Sequence, residues 1–311
     1  MRRSYLMVKS KLFLFALAIP LLFGGCAGGR INGAKSVETG DRRNFTDGIG
    51  RVVSIAPNPQ RIISLAPNLT EILFALGLGN RVVGVTSYCD FPDAAKEKEK
   101  VGDTIHPNLE KIISLKADLV VVSTSSQLEN MTRRLDQLAI PVYVTNPRTA
   151  RDVVASIRSL GEVTGTSGRA AEVASGMESR ISAVERRVSN LPRPSVLYVL
   201  QIGPLITAGR NTFINDLINI AGGKSISGEE TADYPQFSRE TVIARAPEII
   251  VAPGSHGSEL VKESDLRRDL ATTPAIRSNR IVWVTPDLVD RPGPRIVDGL
   301  EQLAEGLHPG R

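Results

Sequence analysis

From residue 51 onward, short runs of consecutive apolar residues alternate with segments in which apolar positions recur every three or four residues. Runs that are apolar at every position predict strands buried on both faces, which is typical of a parallel sheet covered by helices. The intervening segments, such as residues 70–77 and 212–221, predict helices, so an α/β fold is expected. The predicted strands are residues 61–65, 82–86, 119–123, 142–145, 195–200, 248–252 and 281–285.

The pattern occurs twice. Residues 108–122 align without a gap on residues 238–252. Each stretch has a polar helix-capping residue, a glutamate two positions later, a short helix, an acidic residue and a strand. Such internal similarity predicts two related lobes with mainly parallel sheets, and not one long domain.

A single long helix is predicted between the two repeats. In residues 167–191 the apolar positions fall on one face of a helix, and Pro192 and Pro194 end it. A helix of this length spans about 35 Å. An ordinary packed helix inside one domain would show the same periodicity, but the flanking repeats favour a stiff connection. The predicted N-terminal lobe is 51–166 and the C-terminal lobe is 192–311.

The first 25 residues have the composition of an export signal. Four basic residues precede an apolar run at residues 12–23, which is too short to span a membrane. Two glycines then precede Cys26, and this ending resembles a bacterial lipobox, which predicts lipidation of Cys26. A plain signal peptide cleaved nearby is the alternative, and both predict export. Residues 26–50 are rich in glycine and polar residues and predict a flexible tether.

Charge and composition exclude several classes of function. The chain has 38 Lys+Arg, 33 Asp+Glu and a net charge of +5. Because residues 1–25 contribute four basic residues and no acidic one, the mature chain has a charge of only +1, which removes the case for nucleic-acid binding. Three histidines and two cysteines are too few for a multi-histidine or thiolate metal site, so no metal or cofactor is expected. No nucleophile-elbow or zinc-protease motif is present, and His256 has no evident partner, so no enzyme activity is expected.

Specific motifs stand at the start of the folded region. Residues 47–51 and 59–67, followed by Thr70 and Glu71, resemble the opening of the periplasmic iron-siderophore and cobalamin binding-protein family. The resemblance covers roughly residues 47–309. It implies a ligand held between two lobes and delivered to an ABC importer, which consists of a permease dimer with its ATPase subunits.

Further motifs are most similar to those of the cobalamin-binding members, at residues 85–92, 107–110, 234–240 and 287–295. A corrinoid is a flat macrocycle with an amide rim, so it needs aromatic or apolar faces and a few polar groups. Polar and aromatic residues follow the predicted strands, at the edge where open α/β sheets bind ligands. The predicted ligand-binding residues are Pro67, Asn68, Tyr88, Tyr234, Asp287 and Arg291.

Other interpretations of these residues stay open. Either tyrosine could be a packing residue, and Asp287 and Arg291 could form a local salt bridge. The resemblance also implies aromatic residues at the positions of Thr104 and Ser123. Because both residues are small and polar in this chain, the ligand could be a different corrinoid or a larger ligand, or the site could be weaker. A ferric-siderophore or haem binding protein of the same family is the alternative function, with Tyr88 as a haem ligand.

Glu110 and Glu240 occupy the same step of the repeat. Each follows a helix-capping residue and would complement the helix dipole by about 0.3–1 kcal/mol. That role alone does not require a glutamate at this step in both lobes. The resemblance implies that the two carboxylates dock on arginines of the two permease subunits, where charge pairs would set orientation and association rate.

Overall fold

A computed structural model describes residues 42–124, 128–254 and 261–311. The predicted export signal at 1–25, Cys26, most of the tether and His256 lie outside the described residues. The first part of the described chain contains β1 (Arg43–Thr46), β2 (Val52–Ile55), β3 (Ile62–Ser64), α1 (Pro67–Ala75), β4 (Val82–Val85), α2 (Asp93–Lys96), β5 (Glu99–Lys100), α3 (Leu109–Ser114), β6 (Leu119–Ser123), α4 (Leu128–Gln137), β7 (Val142–Thr145) and α5 (Ala150–Thr164).

The chain then continues through one long helix into a second set of elements. These are α6 (Ser167–Val188), β8 (Ser195–Tyr198), β9 (Gln201–Ile202), β10 (Leu205–Ile206), α7 (Phe213–Ile220), β11 (Lys224–Ser225), α8 (Arg239–Arg245), β12 (Ile249–Pro253), α9 (Glu263–Asp269), α10 (Pro274–Arg277), β13 (Ile281–Val284), α11 (Pro286–Val289) and α12 (Ile296–Leu307). We call β1 to α5 the N-terminal half and β8 to α12 the C-terminal half.

Two parallel sheets form the centres of the two halves. The first has the strand order β5-β4-β3-β6-β7 and the second has the order β11-β8-β12-β13. All pairs within both sheets are parallel. The central strands are buried on both faces, as their continuous apolar runs predict. The predicted α/β fold with mainly parallel sheets is confirmed.

The repeat extends to single backbone positions. The orders β4-β3-β6-β7 and β11-β8-β12-β13 are equivalent, with α3 before β6 and α8 before β12. Lys116 and Ala246, which follow these helices at matching steps, have positive φ angles of 48° and 46°. The acidic residue of the repeat also has the same role in both halves. The carboxylate of Asp118 accepts a hydrogen bond from the backbone amide of Arg61, and the carboxylate of Glu248 accepts one from the backbone amide of Ser195.

Helix α6 connects the halves and packs against both of them. Its buried face, which includes Ala174 and Ile181, follows the predicted period of three and four residues. It contacts α5 of the N-terminal half and both α7 and α12 of the C-terminal half. Arg180 also pairs with Asp298 and Glu301 of α12, at 2.6 Å in each case. The described residues therefore belong to one compact unit, and the lobe boundaries at 166 and 192 stay predictions.

The tether is shorter than predicted. Residues 43–46, assigned to the tether up to residue 50, form β1 and pair antiparallel with β2. Asp47 is buried and its carboxylate accepts two hydrogen bonds from the Arg51 side chain, at 2.9 and 2.8 Å. The tether prediction is wrong here because a short, largely exposed strand is held by backbone hydrogen bonds and needs no apolar run.

None of the helices in the described ranges is long and apolar enough to cross a membrane.

Candidate functional site

A cavity of about 530 Å³ lies where the carboxyl ends of the strands in both sheets meet. This is the edge at which open α/β sheets bind ligands. The N-terminal half contributes the segments after β3, β5, β6 and β7, and the C-terminal half contributes segments before α7 and α8 and after β13. The polar residues that line it include Asn68, Thr104, Ser123, Asn146, Asp233 and Asp290.

Two of the six predicted ligand-binding residues line this cavity. Asn68 lies at the start of α1, is buried, and donates from Nδ2 to the carbonyl oxygen of Pro292 at 3.3 Å. Tyr234 lies in the loop before α8, and 54% of its surface is exposed. Thr104 and Ser123, where the family resemblance implies aromatic residues, also line the cavity. Their small side chains widen the space that aromatic rings would fill.

The other four predicted residues are not among the residues that line the cavity. Pro67 is the first residue of α1, between two residues that do line it. Tyr88 follows β4 and is 58% exposed. Asp287 and Arg291 form the local ion pair that was the alternative interpretation, with 2.9 Å between Asp287 Oδ1 and Arg291 Nη2. Their contact with a ligand stays a prediction.

An ion-pair network joins the two halves next to the cavity. Arg291 Nη1 lies 2.6 Å from Oδ1 of Asp90 and 3.6 Å from Oε1 of Glu71. Arg295 binds the carboxylate of Glu71 with two hydrogen bonds. The hydrogen bond from Arg291 holds the pKa of Asp90 below its usual range. Both arginines are therefore already paired with carboxylates of the N-terminal half, and Arg291 also pairs with Asp287 of its own loop.

A partly buried carboxylate in the cavity wall was missed by sequence reasoning. Asp290 accepts a hydrogen bond at 2.8 Å from the hydroxyl of Tyr198, which is fully buried in β8. Burial raises the pKa of Asp290 to about 6, against the opposing effect of the Tyr198 hydrogen bond. Its position shortly after a strand end was the only available signal, because the partner tyrosine is more than 90 residues away in the sequence.

A second pair across the cavity was also missed. Arg148 follows β7, Asp233 precedes α8, and their side chains form a salt bridge between the halves. Arg148 Nη1 also lies 3.4 Å from the carbonyl oxygen of Asn211. Arg148 is thus the basic residue of the described cavity lining, and it is neutralised by Asp233.

The cavity wall combines polar and apolar surface and carries little net charge. Seven amide or hydroxyl side chains, one arginine and two aspartates line it together with eight apolar residues. In the described part of the chain there is no group of three or more His, Cys, Asp and Glu side chains that could hold a metal ion. Such a wall suits a ligand with many amide groups and little net charge.

Glu110 and Glu240 lie on the surface at equivalent positions. The side chains of Asn108 and Ser238 cap their helices by accepting from the backbone amides of Lys111 and Thr241. Each glutamate is exposed and, within the described ranges, has no salt bridge. Hydrogen bonds from its own backbone amide and from Ser238 lower the pKa of Glu240, so it is an anion at neutral pH.

The sequence of this chain is similar to those of known proteins. The family model described as periplasmic binding protein matches residues 62–288, and the chain belongs to this family. It is 32% identical over 270 residues to the uncharacterized ABC transporter substrate-binding lipoprotein YvrC of Bacillus subtilis, covering 85% of this chain and 84% of YvrC. The chain is therefore a substrate-binding component of an ABC transporter, which acts outside the cytoplasm with a permease, an ATPase and a small-molecule ligand.

Two solved structures with similar folds are of proteins named for different ligands. The vitamin B12 binding protein BtuF of Vibrio cholerae superimposes with a TM-score of 0.73 at 28% identity, covering 80% of this chain and 97% of BtuF. The heme-binding protein RhuT of Roseiflexus sp. RS-1 gives a TM-score of 0.72 at 28% identity, covering 80% and 98% of the two chains. These likenesses confirm the predicted fold and transport class.

Proposed function

We propose that this protein captures cobalamin or a related corrinoid in the cavity between its two sheets and presents it to the permease. The observation that carries this proposal is the cavity wall, which combines amides and hydroxyls with the exposed ring of Tyr234. A corrinoid offers an apolar face for the ring and amides for the polar groups. Tyr88, which is exposed after β4, would contact the same ligand. No chemistry on the ligand is needed for this role.

Haem and ferric siderophores are the competing ligands. A haem carries propionates, and many siderophores are anionic, so either would favour unpaired basic groups in the wall. Arg148 is paired with Asp233, and Asp290 adds a second carboxylate. Arg291 and Arg295 are each bound by carboxylates as well. This charge distribution supports a neutral ligand over an anionic one.

Ligand binding is tested on the chain without residues 1–25 and with Cys26→Ser. The protein is incubated in parallel with cyanocobalamin, with hemin and with a ferric siderophore, then desalted, and the protein fraction is examined for absorbance of each ligand. Retention of cyanocobalamin alone is expected. Retention of hemin or the siderophore without cyanocobalamin would refute the corrinoid proposal. Val52→Ala, on the exposed β1–β2 hairpin, serves as the matched control that leaves retention unchanged.

The docking role of Glu110 and Glu240 follows from their equivalent positions. A partner built from two related subunits would meet one carboxylate with each subunit, through a basic group. The double variant Glu110→Gln and Glu240→Gln is expected to abolish uptake while retaining cyanocobalamin. Unchanged uptake would exclude the docking role.

Lipidation of Cys26 would keep the protein at the membrane surface. The chain with Cys26→Ser is expected in the soluble extracytoplasmic fraction, whereas the unaltered chain is expected in the membrane fraction and to incorporate labelled fatty acid. Membrane association of the serine variant would refute this anchor.

A further inference from the structure

Each of the equivalent helices α3 and α8 exposes an isoleucine three residues after its glutamate. Ile113 is 40% exposed and Ile243 is 37% exposed. Residues three apart on a helix lie on neighbouring positions of the same face. Glu110 and Ile113 therefore form one patch, Glu240 and Ile243 form the other, and we call them the acidic-apolar patches.

The two patches share the same burial pattern. In both helices the glutamate is exposed, the next residue is partly buried, the third is fully buried, and the isoleucine is exposed. The fully buried residues, Ile112 and Val242, already hold the helices on their sheets. A single exposed isoleucine is common on protein surfaces, but its recurrence at the same step of both repeats calls for a shared role.

Each patch follows shortly after a residue that lines the cavity. Pro107, two residues before α3, lines the cavity from the N-terminal half. Tyr234, five residues before α8, lines it from the C-terminal half. The patches are therefore connected to opposite sides of the cavity by short segments. A partner that engages both patches would cover the cavity between them.

We infer that Ile113 and Ile243 are docking residues for the permease, and that each permease subunit offers a basic side chain next to an apolar pocket. The inference rests on the proposed function and adds a second, apolar contact to each glutamate. The charge pair would accelerate association and set orientation. The isoleucine, once desolvated in its pocket, would slow dissociation.

Dissociation kinetics test this inference. The cognate permease–ATPase complex is held in nanodiscs, and binding of the variants Ile113→Ser, Ile243→Ser and the double variant is measured at two salt concentrations. Each single substitution is expected to raise the dissociation rate by about 3- to 10-fold, and the double variant by about the product. The association rate of these isoleucine variants should depend on salt as strongly as that of the unaltered protein. The variant with Glu110→Gln and Glu240→Gln should instead associate more slowly, and its association rate should depend less on salt.

Matched variants and a separate ligand measurement distinguish the outcomes. Leu138→Ser removes a comparably exposed apolar side chain outside both helices and should leave docking unchanged. Ile113→Val and Ile243→Val keep the apolar surface, preserve the fold, and should dock nearly normally. Normal dissociation of the isoleucine variants, with a defect in the glutamate variants, would overturn the inference and leave the glutamate role standing. No defect in any variant that still retains cyanocobalamin would overturn docking at these helices altogether.

Discussion

The guanidinium of Arg295 donates two hydrogen bonds to the carboxylate of Glu71, from Nε to Oε2 at 2.9 Å and from Nη2 to Oε1 at 2.6 Å. The two residues are 224 positions apart and belong to different halves. The side chain of Glu71 is only 2% exposed, and Arg295 also stacks on Phe91 at 3.9 Å from the ring centre. This pair, with Arg291 and Asp90 beside it, connects the halves and favours a receptor with small movements between them.

Removing Arg295 should destabilise the protein strongly. Arg295→Met keeps most of the side-chain volume but leaves a buried carboxylate without its bidentate partner, at a cost of about 2–4 kcal/mol in the free energy of unfolding. Arg267→Met is the control, because it breaks an exposed pair with Glu263 and should cost less than about 1 kcal/mol. Urea unfolding measures both. Equal losses of unfolding free energy in the two variants would show that the burial of Glu71 does not require its pairing with Arg295.

Asp290 should make stability depend on pH. Its pKa in the folded protein is raised to about 6, so the folded state binds its proton more tightly than the unfolded state does. The contribution of this proton to the free energy of unfolding is therefore complete below a pH of about 4 and is lost as the pH rises through about 6. The side chain of Asn in Asp290→Asn can still accept the hydrogen bond from Tyr198 but does not ionise. This variant should therefore reduce the fall in the free energy of unfolding between pH 4 and 7 by about 2–3 kcal/mol.

The measurement is urea unfolding of both proteins between pH 4 and 7, with the difference between them taken at each pH. Asp216, whose pKa burial also raises, is present in both proteins and cancels in that difference. A constant difference across this range would contradict a raised pKa for Asp290.

Tyr234 should contribute to ligand affinity through its ring. About half of its surface is exposed at the cavity, and covering that ring would contribute about 1–2 kcal/mol. Tyr234→Ala is expected to weaken cyanocobalamin binding by about tenfold, whereas Tyr234→Phe should change it by less than about threefold. Titration calorimetry gives both affinities. An alanine variant that binds as tightly as the unaltered protein would exclude Tyr234 from the contact.

Two helical glycines should respond oppositely to alanine. A Cβ at Gly161 of α5 would lie 2.3 Å from the Cβ of Ala170 of α6, so Gly161→Ala should separate these helices and lower stability by about 1–3 kcal/mol. A Cβ at Gly176 of α6 would meet nothing within 4 Å, and Gly176→Ala should raise stability by about 0.5–1 kcal/mol. Thermal unfolding compares them. A stabilising Gly161→Ala would show that α5 and α6 can move apart freely.

The sequence by itself determined the strands, the repeat and the long helix α6. These features depend on local periodicity, and residues such as Ala174 and Ile181 are buried as their spacing predicts. Their existence was predicted more accurately than their ends, since helix α6 ends at Val188 and not at residue 191. The strand β1 was missed because pairing through the backbone leaves little trace in the side chains.

Only the tertiary structure decided which polar residues share the cavity. The sequence predicted its place at the strand ends and identified Asn68 and Tyr234. It did not predict that Arg148 faces Asp233 or that Asp290 lies against Tyr198, because each pair joins loops that are far apart in the chain. The physical reason is that burial and charge pairing depend on how the two sheets are juxtaposed, and no local pattern records that arrangement.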